Sequence, residues 1–160
     1  MTTEPSQHRL GAVEIDPASL APASPEQEDE RRIAIKDLIK SNYFEPEGGQ
    51  GGPYRLRIGC IDNRLELEIA GEDYERRHLL SLQPFRRIIK DYFMVCDSYR
   101  DAVRNASGQQ VEALDMGRRG LHNDGSELLR ERLEGKAKTD LETARRLFTL
   151  LCALHWKGLT

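Results

Sequence analysis

The clearest pattern along the chain is an alternation of apolar and polar positions in two adjacent runs. Tyr54, Leu56, Ile58 and Cys60 alternate with Arg55 and Arg57, while Leu65, Leu67 and Ile69 alternate with Glu66 and Glu68. A period of two predicts half-buried strands. Asp62-Asn63 between them suits a two-residue hairpin turn. That turn sets Cys60 opposite Leu65, Ile58 opposite Leu67 and Leu56 opposite Ile69, with Arg57 facing Glu68 on the other side. Residues 76–82 predict a third strand. Leu10, Val13 and Ile15 predict a short edge strand over 10–15, stopped by Asp16-Pro17.

Elsewhere the period is helical. Ser24, Pro25 and Gln27 supply an N-cap, a first-turn proline and a capping box. Glu26, Glu28, Asp29 and Glu30 sit at the positive end of that helix dipole, with Lys36 and Lys40 toward its negative end. Ile35, Leu38 and Ile39 form its inward stripe, and it fades near Tyr43. Ser81 and Pro84 open a long helix to about residue 105, whose apolar side chains fill an arc of roughly 160°. So wide an arc predicts a central helix packed on both sheet and neighbours. Ser107 with Gln110 forms a second capping box. Thr139 with Glu142 forms a third, before a C-terminal helix apolar around most of its circumference. The run Gly48 to Pro53 reads as a flexible connector, because Pro53 leads into a strand and no Lys-Ser/Thr follows as in a phosphate loop. The fold class expected is α+β: a small antiparallel sheet of three to four strands, covered on one face by a C-terminal helical layer. Residues 1–24, with three prolines among Ala, Ser and Thr, are expected to form a loosely ordered arm. Residues 25–160 are expected to form a single domain.

Composition narrows the function classes. A chain of 160 residues, 38% hydrophobic and 32% charged, is long enough to bury a core without disulfide or metal staples. Its net charge of −3 excludes a globally basic nucleic-acid binder. Charge is uneven, with residues 1–83 net acidic and residues 84–160 net basic. Arginine outnumbers lysine 18 to 6, a bias that suits carboxylate and phosphate partners and that a GC-rich genome also produces. Helical arginine pairs without stacking aromatics on an open sheet make nucleic acid an improbable partner. Cys60, Cys96 and Cys152 are odd in number and widely spaced, so they read as small buried thiols rather than a disulfide framework or zinc site. The first 30 residues hold no apolar run of signal-peptide type, and Leu147 to Trp156 is too short to span a membrane. A cytoplasmic location is expected.

No Ser-His-Asp or Cys-His arrangement, metal spacing or dinucleotide fingerprint is present, and neither cofactor nor metal is expected. His8 lies in the arm, His78 in a strand, and His155 on the apolar arc of the last helix. The unusual segment is Asp115 through Gly125. Three glycines there weaken a helix, yet Asp115, Arg118, Arg119, His122, Asn123 and Asp124 concentrate around them. If the helix runs on, Asp115, Arg118 and His122 share the inward face of Val111. Arginine forks would then hold phosphate or carboxylate, with His122 giving or taking a proton. The plainer reading is a glycine-loosened junction between two helices, carrying an Asp115–Arg119 ion pair. Asp115 stands about 10.5 Å from His122 along a helix and cannot orient it directly. The function expected is a non-enzymatic interaction or regulatory protein, its protein partner meeting the N-terminal arm or the basic side of the long helix at Arg86 and Lys90. The alternative is a binding protein or enzyme for an anionic small ligand, built on Asp115, Arg118, Arg119, His122 and Asn123.

Four stretches carry a resemblance: Gly51 to Leu56, Arg87 to Phe93, Asp115 to Asn123, and Ala144 to Thr149. Through them the chain resembles uncharacterised protein family 0262, a set of small alphaproteobacterial proteins, across nearly all of residues 30–158. The resemblance implies a bacterial cytoplasmic origin and brings no mechanism with it.

Overall fold

The Asp62-Asn63 turn closes as its chemistry requires. Both residues take positive φ (50° and 62°), the backbone of a type I′ hairpin whose twist matches the strands it joins. In the computed structural model, which describes residues 7–105 and 107–154, this turn links β3 (Tyr54–Ile61) to β4 (Arg64–Gly71). The pairs are Cys60 with Leu65, Ile58 with Leu67, Leu56 with Ile69 and Arg57 with Glu68. A second tight turn adds β5 (Tyr74–Ser81), antiparallel to β4.

One expectation needs correction: the sheet is mixed rather than antiparallel. β1 (Leu10–Ile15) lies beside β3 and runs parallel to it, with Val13 opposite Leu56 and Ile15 opposite Ile58, giving the order β1-β3-β4-β5. The physical reason is the connection. Parallel neighbours need a long crossover, and here it contains helix α1 (Pro25–Lys40). The capping box of α1 forms as its sequence predicts, Ser24 and Gln27 each bonding the other's backbone N–H. Beyond α1, Asn42 turns back onto β1. Its Oδ1 accepts from the Leu10 N–H (2.7 Å), and its Nδ2 donates to the carbonyls of Leu10 (3.1 Å) and Leu38 (2.8 Å). A side-chain amide thereby takes the place of a further strand at the sheet edge.

On the outer face the register lines up Glu14, Arg57, Glu68 and Arg77 across all four strands, alternating in sign. Opposite charges on facing strands support the pairing. Arg77 also reaches diagonally to Glu66, with Nε and Nη2 each 2.5 Å from Oε2.

The helical layer comprises α2 (Gln83–Asn105), α3 (Gly108–Arg132) and α4 (Leu141–Ala153). A short ribbon of β2 (Phe44–Pro46) and β6 (Ala137–Thr139) accompanies it, too brief for any periodic signal. Two further expectations are corrected here. The cap of α4 is Asp140, whose Oδ1 accepts from Thr143 N–H (2.8 Å), because Thr139 is committed to β6. And α3 is one continuous helix through Gly117, Gly120 and Gly125, with no break in residues 115–123.

The core joins the inner sheet face to α1, α4, Phe85 and Ile89 of α2, and Leu129 of α3. None of the described residues of 94–121, the distal halves of α2 and α3, belongs to it. The wide apolar arc of α2 does not mark a helix packed on the sheet along its whole length. Its distal part packs on α3, and Ala102 is the sole buried residue there.

Candidate functional site

The cluster singled out by sequence is divided by the geometry of an unbroken helix. Asp115, Arg118 and His122 fall on the half-buried side of α3, facing α2 and α4; Arg119 and Asn123 are exposed. Asp115 bridges the two arginines. Arg118 Nη2 donates to its Oδ1 (2.5 Å) and Arg119 Nε approaches Oδ2 (3.1 Å). The Arg118 hydrogen bond and the Arg119 charge hold the Asp115 carboxyl below the ordinary carboxylate range. Arg118 further lies over the Tyr99 ring, 5.0 Å from its centroid, while its Nε is buried with no hydrogen-bond partner.

His122 is oriented by α4. The Thr149 hydroxyl donates to the Arg145 carbonyl (3.0 Å), so its oxygen accepts from His122 Nε2–H (2.8 Å). The imidazole packs against Phe148 and Tyr92, with ring centroids 5.3 and 5.6 Å away. Burial, and then the charges of Arg145 and Arg118, push its pKa below the usual value. At neutral pH the ring is therefore uncharged, with Nδ1 the acceptor. Asn123 Oδ1 accepts from Arg145 Nε (3.1 Å), and Arg145 also pairs with Glu142 (2.9 Å). The residues missed by sequence reasoning are thus Arg145 and Thr149. They share one face of α4, but only the packing of α3 on α4 brings them to His122.

Two concavities lie elsewhere. A groove of about 800 Å³ runs between the β2–β6 ribbon and the end of α3, lined by residues such as Glu47, Glu131, Lys136 and Thr139. It includes none of the five cluster residues. A hollow of about 320 Å³ between α1 and α4 is lined by Lys40, Ser41, Arg146 and Thr149, so it shares with the cluster only the partner of His122. Arg86, expected on a free basic face, bonds Asn63 in the hairpin turn. Cys152 is buried, whereas Cys60 and Cys96 are only half-buried; desolvation raises all three thiols. His155 lies outside the described residues. Among those described, no three His, Cys, Asp or Glu side chains are grouped to hold a metal ion, and no helix is long and apolar enough to cross a membrane.

Residues 7–157 match the model of the uncharacterised protein family UPF0262. The chain belongs to this family. A UPF0262 protein of Caulobacter vibrioides is 65% identical over 153 residues, covering 96% of each chain. Those of Phenylobacterium zucineum and Nitrobacter winogradskyi are 63% and 56% identical, over 95% and 96% of this chain and 96% and 93% of theirs. No solved structure matches significantly. Within this UPF0262 chain the cluster is chemically one carboxylate flanked by guanidiniums beside a neutral imidazole. The carboxylate already answers both guanidiniums, and the imidazole is held by Thr149.

Proposed function

We propose that the chain is a non-enzymatic interaction protein that presents the distal α2–α3 hairpin to a protein partner. The observation that carries this reading is Val103. It continues the stripe of Tyr92, Cys96 and Tyr99 at helical spacing, yet it is 57% exposed. Apolar residues that repeat along one face normally meet a partner, and α3 covers only part of this one. The groups around His122 hold α2, α3 and α4 together at the base of the hairpin.

The test is a photoreactive benzophenone side chain at position 103, irradiated in the cells that produce the protein. A discrete adduct with a second protein is expected, lost when Tyr99→Ala is added. Only the background also seen from a probe at Glu72 would overturn the reading.

A second reading has one observation in its favour, the buried and unpartnered Nε of Arg118. Here Asp115, Arg118, Arg119, His122 and Asn123 hold a phosphate or carboxylate ligand. Nucleotides, sugar phosphates or carboxylates then raise the melting temperature, and Arg118→Ala with His122→Ala removes the rise. Unchanged melting across such a panel disposes of it.

A further inference from the structure

Two glycines in the interior of α3 are left without a reason inside the chain. Gly125 is required, since a Cβ there would stand 2.2 Å from the Phe148 ring. Around the Cβ positions of Gly117 and Gly120, by contrast, no other part of the molecule lies within 4 Å. Each costs the helix about 1 kcal/mol relative to alanine, and nothing in the described contacts repays it. Beside them Met116 is 69% exposed, the most exposed large apolar side chain described. Gly120 lies on the side of α3 opposite Arg118 and His122, which face α2 and α4, and Gly117 lies on a flank of that side.

The exposed face has a regular spacing. Gln109, Ala113, Met116, Gly120, Asn123 and Glu127 follow one another along it at the four-and-three steps at which helices pack on helices. The line is polar at its ends, and at its centre the small Ala113 and Gly120 stand either side of Met116. On one flank of the seam stand Glu112 and Arg119, seven residues apart and therefore on the same side.

We propose that this face of α3 pairs antiparallel with the same face of a second copy, about a two-fold axis beside Met116. Antiparallel pairing brings like flanks together, so Glu112 of each copy meets Arg119 of the other, giving two equivalent ion pairs. The same register stacks the two Met116 side chains near the axis and sets Ala113 against Gly120 of the second copy. Parallel pairing would instead turn the Glu112 flank toward the opposite flank, where Gln110 and Gly117 stand. The missing side chains at 117 and 120 let the two backbones approach closely, which accounts for glycine at positions where helix propensity disfavours it. Asp115 steadies Arg119 from within its own chain through Nε, leaving the Nη groups for the carboxylate opposite. This face is distinct from the apolar stripe of the hairpin, so the proposal stands or falls separately from the partner reading.

The experiment is sedimentation equilibrium on the purified full-length chain. A reversible dimer is expected. Arg119→Glu should weaken it at least tenfold, and Glu112→Arg combined with Arg119→Glu should restore it. Gly120→Leu separates the proposal from a mere folding effect: a better helix former, it should raise the melting temperature of the dilute protein while abolishing the dimer. A chain that remains monomeric at about 0.5 mM, or a dimer indifferent to Met116→Asp and Arg119→Glu, would overturn it.

Discussion

Gly125 of α3 and Phe148 of α4 approach so closely that Phe148 Cζ lies 2.2 Å from the place a Cβ would occupy. Glycine at this position sets the spacing of the two helices, and with it the place of His122 one turn earlier. Gly125→Ala inserts a methyl into a fully buried ring and forces the helices apart. A loss of about 1–3 kcal/mol is expected from such overpacking. Chemical denaturation measures it, and an unchanged midpoint would mean that the contact is slack.

Asn42 closes the edge of β1 through three hydrogen bonds, two of them to Leu10, a residue with no exposed surface. Asn42→Ala strands a buried N–H and carbonyl. A cost of about 1–3 kcal/mol follows, and hydrogen exchange at the Leu10 amide should accelerate ahead of exchange in β4. Equal protection in both proteins would show that the edge needs no such closure.

Glu66 is 6% exposed on the otherwise open face of the sheet, and Arg77 answers its charge. Arg77→Met leaves the carboxylate buried without its partner and should destabilise the protein. Arg77 is half in solvent, so the loss should fall short of the roughly 3–5 kcal/mol of a fully buried pair. Replacing Glu66 by Leu in the same variant should recover much of it. A double variant no more stable than the single one would argue against a buried unpaired charge as the cause.

Histidine 122 makes stability depend on acidity. Its pKa is lowered by burial and by Arg145 and Arg118, so the folded state prefers the neutral ring. The contribution is complete above the ordinary imidazole value of about 6.5. It is lost as pH falls below that value toward the depressed folded one. His122→Gln keeps a donor for Thr149 but does not titrate. The difference in unfolding free energy between pH 7.5 and pH 5.5 should therefore shrink in the variant. An identical pH dependence in both would assign the effect to other groups.

Much of the framework was legible before any coordinates. Alternation, turn chemistry and caps are local signals, and the β3–β4 register, the capping box at Ser24 and the extent of α2 follow from them. The same locality explains the misreadings. Three glycines in nine residues suggested a broken helix, but propensity is a small cost beside the packing of Leu129 and Gly125 against the core. The arc of α2 suggested burial throughout, yet an amphipathic pattern does not say which partner covers it. The cluster at Asp115 was recognisable from its residue types, and the Asp115–Arg119 pair from its spacing. The partners that orient His122 and Asn123 come from α4, a distant stretch of chain.

The sequence by itself determined the β3–β4 hairpin and its register, the start of α1 and the extent of α2, because neighbours along the chain decide those matters. Only the tertiary structure decided that β1 joins the sheet in parallel, that Asn42 seals its edge, that Thr149 holds His122, and that half of the α2–α3 hairpin lies outside the core. Each of these depends on a contact between residues far apart in sequence, and burial and close packing, not local propensity, select such contacts.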